Sequence, residues 1–375
     1  MKILKYIILF LIVLNIPEVV VRNFGSSLGT ISSYSVFLFL ILYYLFTKDR
    51  GSLNMPLILI GISYYLISSF QSHWPFKEFA FISIKFFVVI ICGNELSKRI
   101  TALEMSLFFV LGALTIILHP ILFANTYGRY SGFYFNPNSA GYIAITSFAL
   151  TFVRRKGLIK TGKTLISSLG GLMTFSRTFV ALWALLNLLS IKIDIKNLKI
   201  IFFGIGVVVI IFSVKDILKL NTKRFNEFEA LINNDKSGAE GLTEDSRTAT
   251  WSNYYEAIYD KPIYGNGFHY FQGGHLATVG VGVHNSFLLI IGEAGILPFM
   301  LFVLYFIYLL FYTYRYFKQV PYLFMMTIGL VATLLADHGF FTFYTFPLIT
   351  MWIHNQIIIE KNKKIEGDYL STNLI

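Results

Sequence analysis

The chain has little cysteine and little charge. Its one cysteine, Cys92, stands in an apolar run, which excludes a disulfide framework and a cysteine metal site. Charged residues make up 14% of the 375 residues and hydrophobic residues 55%, and the mean hydropathy is +0.65. The formal charge is +11, but the basic residues form short clusters between apolar segments. That distribution is typical of membrane orientation and not of a nucleic-acid-binding surface.

Long apolar runs recur along the whole chain, each long enough to cross or nearly cross about 30 Å of hydrocarbon. They are predicted near 3–21, 31–46, 55–70, 76–94, 103–122, 139–153, 200–213, 286–314, 320–336 and 340–359, with one ambiguous stretch at 165–191. No small-residue cleavage pattern follows the first run, so we read it as an uncleaved helix. The fold class predicted is therefore an all-α, polytopic membrane helical bundle.

The stretch 165–191 decides the topology. Read as one crossing it gives eleven membrane segments; read as two short crossings hinged at Arg177 it gives about twelve. Two crossings place these basic residues of the short loops on the inner side: Lys2, Lys5, Lys48, Arg50, Lys98, Arg99, Arg154, Arg155, Lys156, Lys160, Lys163, Lys192, Lys196, Lys199, Arg315, Lys318, Lys361, Lys363 and Lys364. Arg22, Arg129 and Arg177 then fall outside, and this bias favours the hairpin.

With both termini in the cytoplasm, the polar interruption 214–284 becomes one large extracytoplasmic loop. We expect positions near Lys196 to be accessible from the cytoplasm and positions near Ser237 from outside. Arg247, Trp251, Tyr255 and Ile258 recur at helical spacing, which predicts a helix within the loop that ends before Pro262 and Gly265. The domains predicted are N-terminal transmembrane helices at 1–122, a catalytic-motif region at 123–296, C-terminal transmembrane helices at 297–360 and a cytoplasmic tail at 361–375.

Several residues on the predicted outer side suit chemistry on a lipid-linked diphosphate. Arginine binds phosphate oxygens bidentately and stays charged, and an arginine within a thin hairpin is costly unless it is paired or functional. The candidates are Arg129, Asn138, Arg177, Arg247, Trp251, His284 and Glu293. Taken singly, Arg129 and Arg247 could also be surface residues or members of structural ion pairs. His284 could be a helix cap, and Trp251 could pack within the loop. Glu293 is out of helical phase with His284, and His338, at an outer turn, is a weaker candidate.

The order of these motifs resembles the superfamily of O-antigen polymerases and O-antigen ligases. The resemblance rests on Arg129 with the run from Asn136 to Gly141, on Ser176-Arg177-Thr178, on Ser246 to Trp251 with Lys261 to Phe268, and on His284 to Phe287 with Glu293 to Gly295. These motifs cover about 123–296, and the flanking segments agree in hydropathy alone.

The resemblance implies a GT-C-like fold and a metal-independent glycosyltransferase without a cofactor. It would join undecaprenyl-diphosphate-linked repeat units into a surface polysaccharide at the outer face of the inner membrane. His284, Arg177 and Arg247 would be catalytic, while Arg129, Asn138, Trp251 and Glu293 would bind substrate. Its partners would be the lipid-linked donor and acceptor glycans, the bilayer, and assembly proteins such as a flippase or a chain-length regulator, with no nucleic acid. The alternatives are an O-antigen ligase that uses another acceptor, or a lipid-linked oligosaccharide flippase.

Overall fold

The computed structural model of the chain describes residues 1–123, 129–153, 157–200, 246–273 and 280–372, with a few isolated positions between 202 and 233. The described part is helical and contains no strand. Its helices are α1 (Lys2–Val13), α2 (Ile16–Phe24), α3 (Ser26–Phe46), α4 (Met55–Ser69), α5 (Phe76–Lys98), α6 (Ala102–Ile117), α7 (His119–Leu122), α8 (Pro137–Leu150), α9 (Leu158–Met173), α10 (Arg177–Ile191), α11 (Ser246–Asp260), α12 (Ser286–Ala294), α13 (Ile296–Arg315), α14 (Pro321–Leu334) and α15 (Thr345–Thr372). The all-α prediction is confirmed.

Three described helices, α3, α5 and α13, are long and apolar enough to cross a bilayer. The count becomes four if the bent pair α1–α2 is one span, and α4, α6, α10 and α14 are shorter apolar helices. These helices indicate a membrane protein. The predicted span 200–213 lies mostly outside the described residues, as does Ser237.

The predicted hairpin is present. Two antiparallel helices, α9 and α10, meet at a turn over residues 174–176, and Arg177 is the first residue of the second helix. Ser176 caps that helix, because its side chain accepts a hydrogen bond from the Phe179 amide. The glycine pair Gly170-Gly171 allows close packing: a Cβ at Gly171 would lie 1.9 Å from Cζ of Phe179. Small residues are used in this way where membrane helices approach closely.

Two long predicted spans are broken in the structure. The segment 3–21 changes direction at Asn15, whose φ of 53° lies in the left-handed region. The segment 286–314 was predicted as one span, but it divides into α12 and α13 at Gly295, where φ is 76°. A Cβ there would meet the Ile263 carbonyl oxygen at 2.0 Å, so this break requires glycine. The prediction of one continuous span over 286–314 is wrong, whereas α1 and α2 together are still apolar and long enough for one bent span.

The chain divides into two compact units, and neither is continuous in sequence. The first contains residues 1–12, 30–102 and 254–375. In it α15 packs on α5 and on the residues that follow it: the Asn355 amide donates to the Ser97 hydroxyl of α5 at 2.8 Å, and the Trp352 indole donates to the carbonyl of Ile100, just after α5, at 2.9 Å. Hydrogen bonds of this kind commonly stabilise the packing of membrane helices.

The second unit contains residues 13–29 and 103–253. Its central helix is α8, whose residues from Ser139 to Leu150 are all buried. The Ser147 and Ser167 hydroxyls lie 2.7 Å apart between α8 and α9, and the Trp183 indole donates to Ser168 at 3.0 Å between α10 and α9. A helix that is buried all round is typical of the centre of a bundle.

The topology gives a direct prediction. Cysteine introduced at Lys196 should react with a membrane-impermeant maleimide only from the cytoplasm, and cysteine at Tyr259, which is 78% exposed, only from outside. Native Cys92 is buried and should not react with the maleimide. Labelling of both positions from the same side of intact membranes would contradict the predicted topology.

Candidate active site

Three of the predicted site residues converge on the turn of the α9–α10 hairpin. Arg129 donates from Nε to the Thr174 carbonyl at 3.2 Å, and the Tyr130 amide donates to Met173 at 3.1 Å. These bonds fix the segment that carries Arg129 to the turn that precedes Arg177. Arg129 is half-buried, whereas Arg177 is exposed at the start of α10.

Asn138 reaches the same turn from the start of α8. Asn136 caps this helix by accepting hydrogen bonds from the backbone amides of Asn138 and Ser139. The Ser176 hydroxyl then lies 3.5 Å from Oδ1 of Asn138, next to Arg177. The two sequence motifs at Asn136 and Ser176 therefore form one polar corner of the second unit.

Arg247 and Trp251 lie one helical turn apart on α11, both half-buried. The helix runs from Ser246 to Asp260, so the helix predicted within 214–284 is confirmed, and Pro262 follows its end. Residues four apart share a helix face. The buried Trp251 Nε1 has no hydrogen-bond partner among the residues that the structure describes.

Each residue of the motif His284-Asn285-Ser286 has a separate task. His284 has a φ of 48°, a left-handed conformation that is uncommon outside glycine, although asparagine, aspartate and histidine adopt it more often than other residues. Asn285 caps α12 by accepting from the Phe287 and Leu288 amides at 2.9 and 3.1 Å. The Ser286 hydroxyl donates to the Asp337 carbonyl at 2.7 Å, which ties the start of α12 to the turn after α14. The motif thus fixes the backbone that carries the imidazole.

Glu293 forms the buried centre of the contacts around α12. Its carboxylate accepts hydrogen bonds from the Tyr64 hydroxyl, the Phe271 amide at 3.0 Å and the Gln272 side chain at 3.3 Å. The side chain is fully buried. These contacts hold the segment after α11 against α12, and the substrate-binding role of Glu293 stays a prediction.

The glycine-rich segment after α11 packs against the end of α12 through its backbone. The Asn266 and Gly267 amides donate to the carbonyls of Gly292 and Glu293 at 2.7 and 3.0 Å. Gly265 has a φ of 69°, and a Cβ there would lie 2.4 Å from the Glu293 backbone carbon. Two motifs that are separate in sequence, 261–268 and 293–295, are therefore one structural element.

Residues 163–303 match the family model described as O-antigen ligase. The match contains Arg177, Arg247, Trp251, His284 and Glu293, together with most of the hairpin and the segment that packs on α12. It confirms the predicted superfamily resemblance over this range. No curated protein matches the chain.

His338, the weaker candidate at the predicted outer turn, lies outside the residues that match the family model. Its ring centroid lies 5.0 Å from that of His284. A Cβ on Gly282 would lie 2.9 Å from its Cε1, so the ring sits tightly against backbone. Burial lowers the pKa of His338; Asp337 opposes this shift, and His284 and His269 reinforce it. The available signal was topological, since Asp337-His338 was predicted on the same side as His284.

A polar cavity of about 480 Å³ lies between the loop after α4 and the end of α11. Its lining residues are Gln71, Ser72, His73, Ala257, Asp260, Lys261, Asn266 and Tyr270. Beside it, the rings of Trp74 and His269 stack with centroids 3.7 Å apart. Carboxylate, amide and aromatic groups of this kind suit a hydroxyl-rich ligand.

The second unit contains Arg129, Asn138, Arg177, Arg247 and Trp251, and the first contains His284, Glu293 and His338. The prediction that Arg177, Arg247 and His284 line one cavity stays a prediction. Among the described residues no group of three or more histidine, cysteine or acidic side chains is placed to hold a metal ion.

Proposed function

We propose that the chain is a membrane glycosyltransferase that joins undecaprenyl-diphosphate-linked oligosaccharide repeat units into a surface polysaccharide. The observation that carries this proposal is the O-antigen ligase match over 163–303, because that range holds the two arginines and the histidine suited to the reaction. The fold proposed is a GT-C-like bundle of about twelve membrane segments in the inner membrane, with both termini cytoplasmic.

In the proposed reaction, a hydroxyl of the acceptor glycan attacks the anomeric carbon of the donor. A glycosidic C–O bond forms as the bond from that carbon to the diphosphate oxygen breaks, and the carrier diphosphate leaves with the electron pair. His284 accepts the hydroxyl proton, since an imidazole is suited to proton transfer near neutral pH. The left-handed backbone of His284 and the capped start of α12 support this role, because they fix the backbone that carries the imidazole.

Arg177 and Arg247 bind the diphosphate and stabilise the charge that grows on it as the bond breaks. Arg129, fixed on the same hairpin turn as Arg177, and Asn138 contact donor phosphate or acceptor sugar. Trp251 contacts a sugar ring. The polar cavity beside Asp260 and His73 offers a further contact for the acceptor glycan, and a flippase and a chain-length regulator are the protein partners.

A ligase is the second candidate, because the matching family model is itself described as O-antigen ligase. The two reactions share the donor and differ in the acceptor. Purified protein in liposomes should be given the lipid-linked repeat unit alone, in the presence of EDTA. We expect a ladder of lengthening lipid-linked glycans, since the arginines supply the positive charge that the leaving diphosphate needs.

Transfer that appears only when lipid A-core or another acceptor is added would favour the ligase and contradict the polymerase. A requirement for added divalent cation would contradict metal independence. In a deletion strain, the polymerase predicts surface glycan that stops at one repeat, whereas the ligase predicts free polymer on the carrier lipid.

A further inference from the structure

The base of the α9–α10 hairpin contains a second, basic pocket that the proposed reaction does not use. Its volume is about 380 Å³. It is lined by Gly157, Lys160, Thr161, Thr164, Leu165, Lys196, Asn197, Lys199 and Ile200, all from the first turns of α9 and the segment after α10. We propose that this pocket binds the phosphate headgroup of an anionic phospholipid of the bilayer.

The pocket has an excess of positive charge. Lys160 lies furthest inside: its Nζ is 3.4 Å from Oδ1 of Asn197 and 4.6 Å from the centroid of the Phe152 ring. Lys196 and Lys199 are exposed at the mouth. Asp194 offsets part of this charge, but its carboxylate also accepts from the Lys196 amide at 2.9 Å. The lining residues include three lysines and no acidic side chain, so the pocket suits an anion.

The partial burial of Lys160 also supports the binding of an anion in this pocket. It lowers the pKa of the Lys160 ammonium, and the Asp194 charge only partly opposes this. A bound phosphate group would stabilise the charged form of this lysine. The hydroxyl groups of Thr161 and Thr164 add polar groups beside it.

Exposed apolar residues are close in sequence to the lining residues, which favours a lipid over a soluble anion. Leu158 is 88% exposed, Ile195 67% and Phe202 67%, and Ile159 beside them is 57% exposed. In a membrane protein such side chains lie against acyl chains. Lysines surrounded by exposed apolar side chains therefore match a molecule with a charged head and apolar tails.

The pocket also lies at the correct depth. The hairpin helices α9 and α10 have 16 and 15 residues, so its base is about 22 Å or more from the turn at Arg177. If that turn faces outward, the base lies at the cytoplasmic surface, where basic pockets between membrane helices bind anionic headgroups. The pocket is thus separate from the proposed diphosphate site at the other end of the hairpin.

The test is lipid retention by the full-length protein, measured by native mass spectrometry after reconstitution with phosphatidylglycerol and phosphatidylcholine in equal amounts. We expect the wild-type protein to retain phosphatidylglycerol preferentially. Lys196→Gln and Lys199→Gln, both at exposed positions that folding should tolerate, should each weaken this retention about five-fold. Lys160→Gln should do the same, and Lys196→Arg should keep it. Lys318→Gln, an exposed lysine outside the pocket, is the matched control.

Equal retention of both lipids by the wild-type protein would overturn the proposal, as would losses no larger than that of the Lys318 control. Displacement of phosphatidylglycerol by inorganic phosphate at comparable concentration would show a free-phosphate site and would overturn the lipid assignment. None of these outcomes depends on the glycosyl transfer, which can be assayed in the same samples.

Discussion

Replacement of His284 by alanine is expected to reduce the rate of glycosyl transfer by about 10²- to 10⁴-fold, the usual contribution of a positioned general base. Binding of the lipid-linked donor should change little, because the imidazole acts on the acceptor hydroxyl. Turnover and donor binding should be measured separately on protein of unchanged thermal stability.

The conformation of His284 provides a matched control. Its φ of 48° is one that asparagine tolerates better than most residues, so His284→Asn keeps a polar side chain and the local backbone without the imidazole. We expect this variant to be as inactive as His284→Ala. Normal polymerisation by either variant would refute the catalytic assignment and leave the superfamily resemblance to stand on fold alone.

Replacement of Arg177 by lysine is expected to lower transfer by about 10²-fold although the positive charge remains. A lysine offers a point charge and loses the planar fork that binds two phosphate oxygens. If Arg177 stabilises the leaving diphosphate, the substitution should lower kcat more than it changes KM. Rates should be compared at saturating and limiting donor.

The control for this variant is Arg22→Lys. Arg22 belongs to the same unit and is predicted on the same membrane face, but it forms an exposed ion pair with Glu18 at 2.8 Å. Exposed pairs contribute little, so activity should be unchanged. Equal effects of the two substitutions would show that Arg177 has no special role.

The sequence was sufficient for features with strong local signals. The hairpin followed from the distribution of lysine and arginine around Arg177, and α11 followed from the helical spacing of Arg247, Trp251 and Ile258. The convergence of Arg129, Asn138 and Arg177 agrees with the prediction that they lie on one side of the membrane. In each case the signal lies within a few turns or follows from the bilayer itself.

Features created by distant contacts were missed. Gly295 lies in the apolar stretch 286–314, in which Glu293 is the one charged residue, so the hydropathy of the stretch as a whole does not predict a break there; the break depends on the segment at Ile263 that packs against it. The pairing of His284 with His338 likewise depends on the hydrogen bond from Ser286 to the Asp337 carbonyl. Neither contact leaves a pattern in a single sequence.

The hydrogen bond between Tyr64 and Glu293 has a consequence for biosynthesis. Its two residues are 229 positions apart, and the contact from Thr345 to the Ile12 carbonyl spans 333. During translation, the early helices cannot form these contacts until the last quarter of the chain has been synthesised. Such distant contacts form slowly, so the segment around His284 should become protease-resistant only after the C-terminal helices have inserted. A nascent chain that lacks the C-terminal helices would already contain Arg177, but the contacts that position His284 would not yet have formed.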